Sequence, residues 1–223
     1  SLKKSSEGLG LTPPDEDRIK EAIDAVLRAD SEAGVIRITW SSGLGTLGSA
    51  RGNSPGTLIV STQERKIWPT SESLHIVPWP RNERGALTGL KTTSYAENVL
   101  ALETAHRHDC DEALFLNTTG ALCEGTGTNI FLVINEELVT PPISSGCLAG
   151  ITRELVLEIA EVTERDISPS ELSNCKEAFI TSSTRDLSPV SRFDDLAVPL
   201  VPGPVTEKVA QAFSRLKSSQ PDP

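Results

Sequence analysis

The stretch from residue 112 to residue 142 constrains the fold of this chain more than any other part of the sequence. It contains apolar runs separated by turn residues, in the segments EALFLNTTG and ALCEGTGTNIFLVINEELVTPP. Turns are expected at Thr119-Gly120 and at Asn135-Glu136, where small or polar residues interrupt the runs. This pattern predicts short antiparallel strands that form the sheet of the fold.

Helical patterns lie on both sides of this stretch. A helix is expected after Pro14 and Asp15, and another begins at Ser94, with Glu97 as the second member of a capping box. GITRELVLEIAEVT and VTEKVAQAFSRL predict two more helices, the first with Ile151 and three later apolar residues facing inward. KEAFITSSTRDLSPV predicts a strand that runs into a hydroxyl-rich loop.

The proline- and charge-rich segment VPWPRNERG, at 77–85, separates two patterns. Residues before it contain one helix and the strands GVIRITW and TLIVST. We therefore expect the remainder of a small α/β N-terminal domain at 1–77, a linker at 78–85 and a larger domain at 86–223. The fold class is α/β of the mixed α+β kind, with a mostly antiparallel or mixed sheet, or a pseudo-barrel, flanked by helices.

Composition excludes several kinds of protein. The 223-residue chain has a formal net charge of −10, which disfavours general binding to nucleic acid or to an anionic membrane. No apolar run is long enough to cross a bilayer. The four cysteines form no CxxC pair, so free thiols in a reducing, cytoplasmic compartment are expected. The three histidines form no metal-binding pattern, so no metal is expected.

Lys91 is the first candidate for chemistry. Most lysines are solvated surface residues, but Lys91 follows Gly89-Leu90, precedes three hydroxyl residues and lies just before the helix expected at Ser94. Partial burial and the positive end of a helix both disfavour the ammonium form. A neutral amine can attack a carbonyl carbon and form a Schiff base, so Lys91 is either a surface lysine or an imine-forming one.

Glu124 is the second candidate. It stands among Cys123, Gly125 and Gly127, just before the apolar strand NIFLV. Such a glutamate can be an ordinary turn or edge-strand residue. It can also be a carboxylate beside a cationic ring nitrogen, where it keeps that nitrogen protonated and makes the ring an electron sink.

Three further features suit anionic groups. Gly150, Ile151 and Thr152 open a helix, and helix N-termini bind phosphate. The run TSST at 181–184 places four hydroxyl side chains after a strand. Taken singly, these segments can be no more than a helix cap and a hydroxyl turn. Arg51, in the loop SARGNSPG, is either a solvated arginine or a bidentate clamp for a substrate carboxylate.

In their order and spacing, these segments resemble the class IV aminotransferase family, also called fold type IV. The family includes branched-chain aminotransferases, D-amino acid aminotransferases and 4-amino-4-deoxychorismate lyases, and this chain looks most similar to the lyases and to unassigned class IV aminotransferases. Residues 86–192 carry most of the resemblance. The matching segments are LKTTSYAENV, DEALFLNTTGALCEGTGTNIFLV, LVTPPISSGCLAGITRELVLEIA and EAFITSSTRDLSPV.

The resemblance implies pyridoxal 5'-phosphate as the cofactor, a small amino compound as the substrate and a homodimer as the assembly. It implies that Lys91 is the catalytic Schiff-base lysine, that Glu124 lies at the pyridine nitrogen and that Tyr95 lies near the phenolic oxygen. It also implies the residues that hold the two anionic groups: the phosphate is bound by Ile151, Thr152 and Ser183, and the substrate carboxylate by Thr184 and Arg51.

The chain departs from the family at its beginning. It starts at Ser1, contains no methionine and opens on SLKKSSEGLGL, the pattern of an element already under way. The family usually carries a phosphate-binding arginine upstream of the first helix seen here. We therefore expect that residues upstream of Ser1, including this arginine, are missing from the sequence.

The resemblance leaves the reaction open. The leading interpretation is a lyase that converts 4-amino-4-deoxychorismate to 4-aminobenzoate and pyruvate, a step toward folate. The alternative is an aminotransferase that acts on branched-chain or D-amino acids. A third interpretation is a non-catalytic relative that binds a phosphate ligand.

Overall fold

The computed structural model describes residues 2–219 and shows two compact units. Unit 1 comprises the described residues up to Ile67 together with Leu90–Thr93. Unit 2 comprises Trp68–Gly89 and the described residues from Ser94 onward. The segment that contains Lys91 therefore belongs to unit 1, although the chain on both sides of it belongs to unit 2.

Unit 1 consists of helices and one hairpin. Its elements among the described residues are α1 (Leu2–Gly8), α2 (Glu16–Ala29), β1 (Val35–Ser41) and β2 (Thr57–Gln63). Helix α2 begins where the sequence predicts, because the side chain of Asp15 accepts the N–H of Arg18 at 3.1 Å and caps the first turn. β1 and β2 pair in antiparallel fashion over their whole lengths.

Unit 2 is built on a mixed sheet. Its elements are β3 (Glu72–Ile76), α3 (Ala96–Arg107), β4 (Glu112–Leu116), β5 (Leu122–Gly125), β6 (Asn129–Ile134), β7 (Glu137–Thr140), α4 (Ile151–Ile159), β8 (Thr163–Glu164), β9 (Cys175–Ser182), β10 (Asp186–Phe193), β11 (Leu196–Ala197) and α5 (Pro204–Ser219). Within the described residues the strand order is β5-β4-β3-β10-β9-β6-β7-β8, with β11 beside β10. β3 runs parallel to β4 and β10, β7 runs parallel to β8, and the other neighbours are antiparallel. The predicted mixed sheet with helices is confirmed.

Strand β6 shows why the stretch 112–142 constrains the fold so strongly. All six of its residues, NIFLVI, are buried. Its even-numbered apolar side chains lie in one core cluster, whereas Phe131 and Val133 pack in another against Val156 of α4 and Val209 of α5. Both faces of the strand are therefore covered, and each large side chain contributes about 1.5–3 kcal/mol through burial.

The predicted domain boundary and linker differ from this division. β3 lies before the predicted boundary at 77, yet it pairs with β4 and β10 of unit 2. The predicted linker 78–85 continues beside β4, because the N–H of Arg81 donates to the carbonyl of Leu116 at 2.7 Å. The two units divide after Ile67 because β3 pairs with strands that are distant in sequence. A local pattern of prolines and charges cannot predict such pairing.

Two details of the predicted helices also need correction. The N-cap of α3 is Tyr95 and not Ser94, and the Tyr95 side chain makes no capping hydrogen bond. In α4, Ile151 is 54% exposed, and the buried positions include the polar residues Thr152 and Arg153. A pattern of apolar residues could not predict this face, because it includes the charged side chain of Arg153, which is buried and donates to the carbonyl of Pro141.

Three further observations concern the part of the chain that the structure describes. No helix there is long and apolar enough to span a membrane. No group of three or more histidine, cysteine, aspartate or glutamate side chains there is arranged to hold a metal ion. The cysteines Cys110, Cys123, Cys147 and Cys175 are buried and unpaired.

Candidate functional site

Glu124 lies near the end of β5, and its side chain is 14% exposed. Its Oε2 accepts the backbone N–H of Leu148 at 2.8 Å, and its Oε1 lies 3.5 Å from Nε of Arg81. The turn that follows is tight, because a Cβ on Gly125 would lie 2.1 Å from Oγ1 of Thr128. Glu124 is therefore a fixed, largely buried carboxylate and not a solvated turn residue.

The cation that faces this carboxylate is Arg81. The sequence pattern assigns Arg81 to the predicted linker and not to the site. Its guanidinium lies 4.0 Å from the ring centroid of Phe115, and its Nη2–H donates to Oδ1 of Asn98 at 3.0 Å. Its Nη1–H donates to Glu97 at 3.3 Å. These contacts orient Arg81 toward Glu124. No local sequence pattern could identify Arg81 as a site residue, because its contacts lie on β4, α3 and β5.

A cysteine precedes each of the two residues joined by the hydrogen bond from Leu148 to Glu124. Cys123 comes directly before Glu124, and Cys147 comes directly before Leu148. Burial raises the pKa of Cys123 well above its usual range, and the nearby negative charge of Glu124 adds to the rise. Burial also raises the pKa of Cys147. Both thiols therefore stay protonated at neutral pH, and a protonated thiol is a poor nucleophile.

The loop that holds Glu124 leads directly into α4. The carbonyl of Leu148 accepts the N–H of Gly150 at 2.9 Å and the side-chain amide of Asn129 at 2.8 Å. Gly150 is the N-cap residue of α4 and supplies no side-chain cap. The first N–H groups of α4 are therefore suited to bind an anion close in sequence to the contact that fixes Glu124.

The two residues of α4 that are predicted to bind an anion, Ile151 and Thr152, differ in burial. The side chain of Thr152 is buried, whereas Ile151 is exposed and could contribute only its backbone N–H. The next residue, Arg153, anchors the helix start: its Nη2–H donates to the carbonyl of Pro141 at 3.0 Å, and it forms an ion pair with Glu164. The first turn of α4 is thereby held in place.

The hydroxyl run lies at the end of β9. The pairing of β6 with β9 sets Asn129 opposite Thr181, and Asn129 also adjoins Gly150. The Oγ1 of Thr181 is buried and has no hydrogen-bond partner among the described residues, so a ligand or water can satisfy it. Ser183 and Thr184 are exposed in the turn that follows.

Two of the predicted site residues, Lys91 and Arg51, belong to unit 1. The backbone N–H of Lys91 donates to Oγ of Ser5 at 2.9 Å, which attaches its segment to α1. The guanidinium of Arg51 donates to the carbonyls of Leu9 and Gly10. Arg51 therefore stabilises the chain after α1, a role that neither interpretation of its sequence anticipated.

Within unit 2, hydrogen bonds through Leu148 and Asn129 connect Glu124, the first turn of α4 and the end of β9. Tyr95 lies in the same unit at the start of α3, with its side chain 40% exposed. A held carboxylate, an uncapped helix start and an orphaned hydroxyl fit a ligand that has a basic ring nitrogen and an anionic group.

Replacing Gly150 by alanine is expected to weaken about tenfold the binding of pyridoxal phosphate, the phosphate ligand that the sequence resemblance implies; tenfold is the usual scale of overpacking a tight site. The new Cβ would lie 2.3 Å from Oδ1 of Asn129, which its hydrogen bond to Leu148 holds in place. A fluorescence titration measures the loss. The double variant Gly150→Ala/Asn129→Ala removes the clash and should recover part of it, and Asn129→Ala is the matched control. Unchanged affinity in Gly150→Ala would contradict an anion site here.

Comparisons with known proteins show the family and the fold of this chain. A family model described as amino-transferase class IV matches residues 2–193. A Synechocystis sp. protein described as a probable branched-chain-amino-acid aminotransferase is 32% identical over 155 residues, which cover 66% of this chain and 50% of the relative. The chain therefore spans about half the length of this curated relative.

Solved structures show the same fold. One is a Legionella pneumophila protein with the provisional description 4-amino-4-deoxychorismate lyase: it is 27% identical with a TM-score of 0.88, covering 96% of this chain and 82% of that one. Another is the branched-chain amino acid aminotransferase of Thermobaculum terrenum in its PLP form. It is 26% identical with a TM-score of 0.85, covering 98% of this chain and 76% of that one.

Proposed function

Since this chain belongs to the amino-transferase class IV family, we propose that it acts as a pyridoxal-phosphate enzyme on the amine of a small amino compound. The observation that carries the proposal is the Glu124 carboxylate, which the N–H of Leu148 and the charge of Arg81 hold near the end of β5. The uncapped start of α4 supports the phosphate end of the same ligand. When bound, the cofactor supplies an aldehyde that takes up amines and a ring that accepts electrons.

The proposed chemical roles fall to three residues, on the strength of the family resemblance. Lys91 would hold the cofactor through its side-chain amine, which condenses with an aldehyde and releases water. Once a substrate amine has taken its place, the free Lys91 amine would take the proton from the substrate carbon. Glu124 would hold a proton at the ring nitrogen, and Nε of Arg81 lies 3.5 Å from this carboxylate. Tyr95 hydrogen-bonds near the phenolic oxygen.

The remaining roles are positional. The backbone N–H groups of Ile151 and Thr152, the hydroxyl of Thr152 and the hydroxyl of Ser183 hold the phosphate. The backbone at Thr184 meets the substrate carboxylate, and Arg51 gives a second contact to it. This contact requires the Arg51 guanidinium to turn away from the two carbonyls of unit 1 to which it donates.

Two reactions are candidates, and each has a specific observation in its favour. Amino transfer is favoured by the curated relative of 32% identity, which is described as a branched-chain aminotransferase. Lyase activity on 4-amino-4-deoxychorismate is favoured by the Legionella structure, of which this chain covers 82%. The reactions would differ in the fate of the proton that Lys91 removes. In amino transfer the proton would go to a cofactor carbon, and in the lyase reaction it would go to the expelled enolpyruvate group, which is released as pyruvate.

One pair of assays separates the reactions. Purified protein with pyridoxal phosphate and aminodeoxychorismate, but no added keto acid, should release pyruvate if the protein is the lyase. With a branched-chain or D-amino acid and 2-oxoglutarate, it should form glutamate and no pyruvate if the protein is the aminotransferase. The Lys91→Ala variant is the control in both assays. Cofactor uptake without turnover in either assay would contradict both reactions and favour a non-catalytic relative.

We propose further that the protein is a cytoplasmic homodimer, as the family resemblance implies. Light scattering of the purified chain tests the assembly, since a monomer or a higher oligomer at working concentration would contradict it. Cell fractionation tests the compartment. The reduced state of all four cysteines is compatible with a reducing compartment.

A further inference from the structure

A buried charged cluster follows the hydroxyl turn and has no part in the roles assigned above. We call it the Arg185 cluster, and it consists of Arg185, Glu72 of β3, Glu112 of β4 and Trp68. The side chain of Glu72 is 1% exposed, that of Glu112 is 2% exposed and that of Arg185 is 9% exposed. Charged groups so far from water persist only when they are paired.

Glu112 is the strongly bound anion of the cluster. Its Oε2 accepts the Nη1–H of Arg185 at 2.9 Å. Its Oε1 accepts the backbone N–H of Ala113 at 3.0 Å and that of Thr126 at 3.2 Å, together with the Thr126 hydroxyl. The side chain of Arg185 is therefore anchored to strand β4.

Glu72 is the more weakly held member. Its Oε2 lies 3.2 Å from the same Nη1 atom of Arg185. Burial raises the pKa of Glu72, and the carboxylates of Glu112 and Asp111 add to the rise, whereas Arg185 and the hydroxyl of Ser188 oppose it. Without the guanidinium, two buried carboxylates would face each other, so the fold holds Arg185 tightly in this position.

Trp68 attaches the same turn at a second point. The guanidinium of Arg185 lies 4.0 Å from the centroid of the Trp68 ring. The Nε1–H of Trp68 donates to the carbonyl of Thr184 at 3.0 Å. The N–H of Arg185 donates to Oγ of Ser182 at 3.2 Å. The turn that carries Ser183 is thus fixed at the residue before it and at both residues after it.

We propose that Arg185 is a positioning residue of the anion site, because its attachment to Glu112, Glu72 and Trp68 fixes the turn that presents Ser183 and Thr184. The inference rests on the proposed function, in which Ser183 holds the cofactor phosphate. Arg185 acts through the backbone of the turn and contacts no ligand itself.

The test compares pyridoxal phosphate with pyridoxal, which has the same ring and aldehyde but no phosphate. Titration of each ligand gives a ratio of dissociation constants that isolates the phosphate contact. In Arg185→Gln the preference for pyridoxal phosphate should fall about ten- to hundredfold, the scale of a lost charge-assisted hydrogen bond. The affinity for pyridoxal should stay the same. Arg185→Lys, which keeps the charge, should recover part of the preference.

One control variant removes a comparable group from unit 2 outside the Arg185 cluster. Arg165→Gln removes the ion pair of Arg165 with Glu171 and should retain the wild-type preference. Trp68→Phe keeps a ring but loses the N–H to Thr184, so the preference should fall about three- to tenfold. This variant also serves if Arg185→Gln does not fold.

The outcomes separate this inference from the proposed function. A folded Arg185→Gln protein with the wild-type preference would overturn the positioning role and leave the proposed function standing. If Arg185→Gln does not fold, an unchanged preference in Trp68→Phe overturns the role. Wild-type protein that binds neither ligand would overturn the proposed function and this inference with it.

Discussion

Replacing Lys91 by alanine is expected to abolish covalent binding of pyridoxal phosphate and to lower the turnover number by about 10²–10⁴-fold, the usual worth of a positioned general base. Both effects have one cause, since the proposed function gives the same amine two roles: it bonds to the aldehyde and it moves the substrate proton. The visible absorption band of the cofactor, after gel filtration, measures the first effect. Steady-state turnover with saturating cofactor measures the second.

The Lys91 variant needs a control that removes an amine elsewhere in the same unit. Lys20→Ala on the exposed face of α2 serves this purpose and should behave as wild type. A small primary amine in solution should restore part of the turnover of Lys91→Ala, because it can carry the missing proton. A Lys91→Ala protein that keeps the visible band and the wild-type rate would contradict the assignment.

Replacing Glu124 by glutamine is expected to lower turnover by about 10²–10³-fold, the scale of removing one preorganised electrostatic contact. The amide can still accept the N–H of Leu148, so the loop before α4 should keep its place. It carries no charge, so it cannot stabilise a proton on a ring nitrogen, and Arg81 loses its carboxylate partner there. Cofactor binding should change much less than turnover.

The matched control for this variant is Glu158→Gln on the exposed side of α4, which should keep the wild-type rate. A shift in the absorption spectrum of the bound cofactor in Glu124→Gln, absent in the control, would report the altered ring nitrogen. Wild-type turnover and spectrum in Glu124→Gln would contradict the proposed role of this carboxylate.

The sheet could be predicted from the sequence because local patterns report it. Strand β6 is apolar on both faces, and the turn after it uses Asn135 and Glu136 with φ angles of 51° and 69°, which asparagine tolerates well. The division of the chain could not be predicted in the same way. It depends on the pairing of β3 with β4 and β10, and on the attachment of Lys91 to Ser5, which are long-range contacts.

In the candidate site, too, only the residue in an unusual local sequence could be predicted, and its partners from distant parts of the chain could not. Glu124 stands out in the sequence because a carboxylate that follows Cys123 and precedes Gly125 and Gly127, just before an apolar strand, is unusual. Its partners do not stand out: Leu148 contributes only a backbone N–H, and Arg81 lies in a segment that resembles a linker. Arg185 and Glu72 were also missed, since only the folded sheet brings these charges together.

The central claim is that the amine of Lys91 bonds to the aldehyde carbon of the cofactor. Protein loaded with pyridoxal phosphate can be reduced with borohydride, digested with trypsin and analysed by mass spectrometry. Lys91 is the one lysine between Arg84 and Arg107, and trypsin does not cut at a modified lysine. The expected result is an uncut peptide of residues 85–107 that carries the phosphopyridoxyl group. Cleavage at an unmodified Lys91, with the label on another lysine or on none, would contradict the claim.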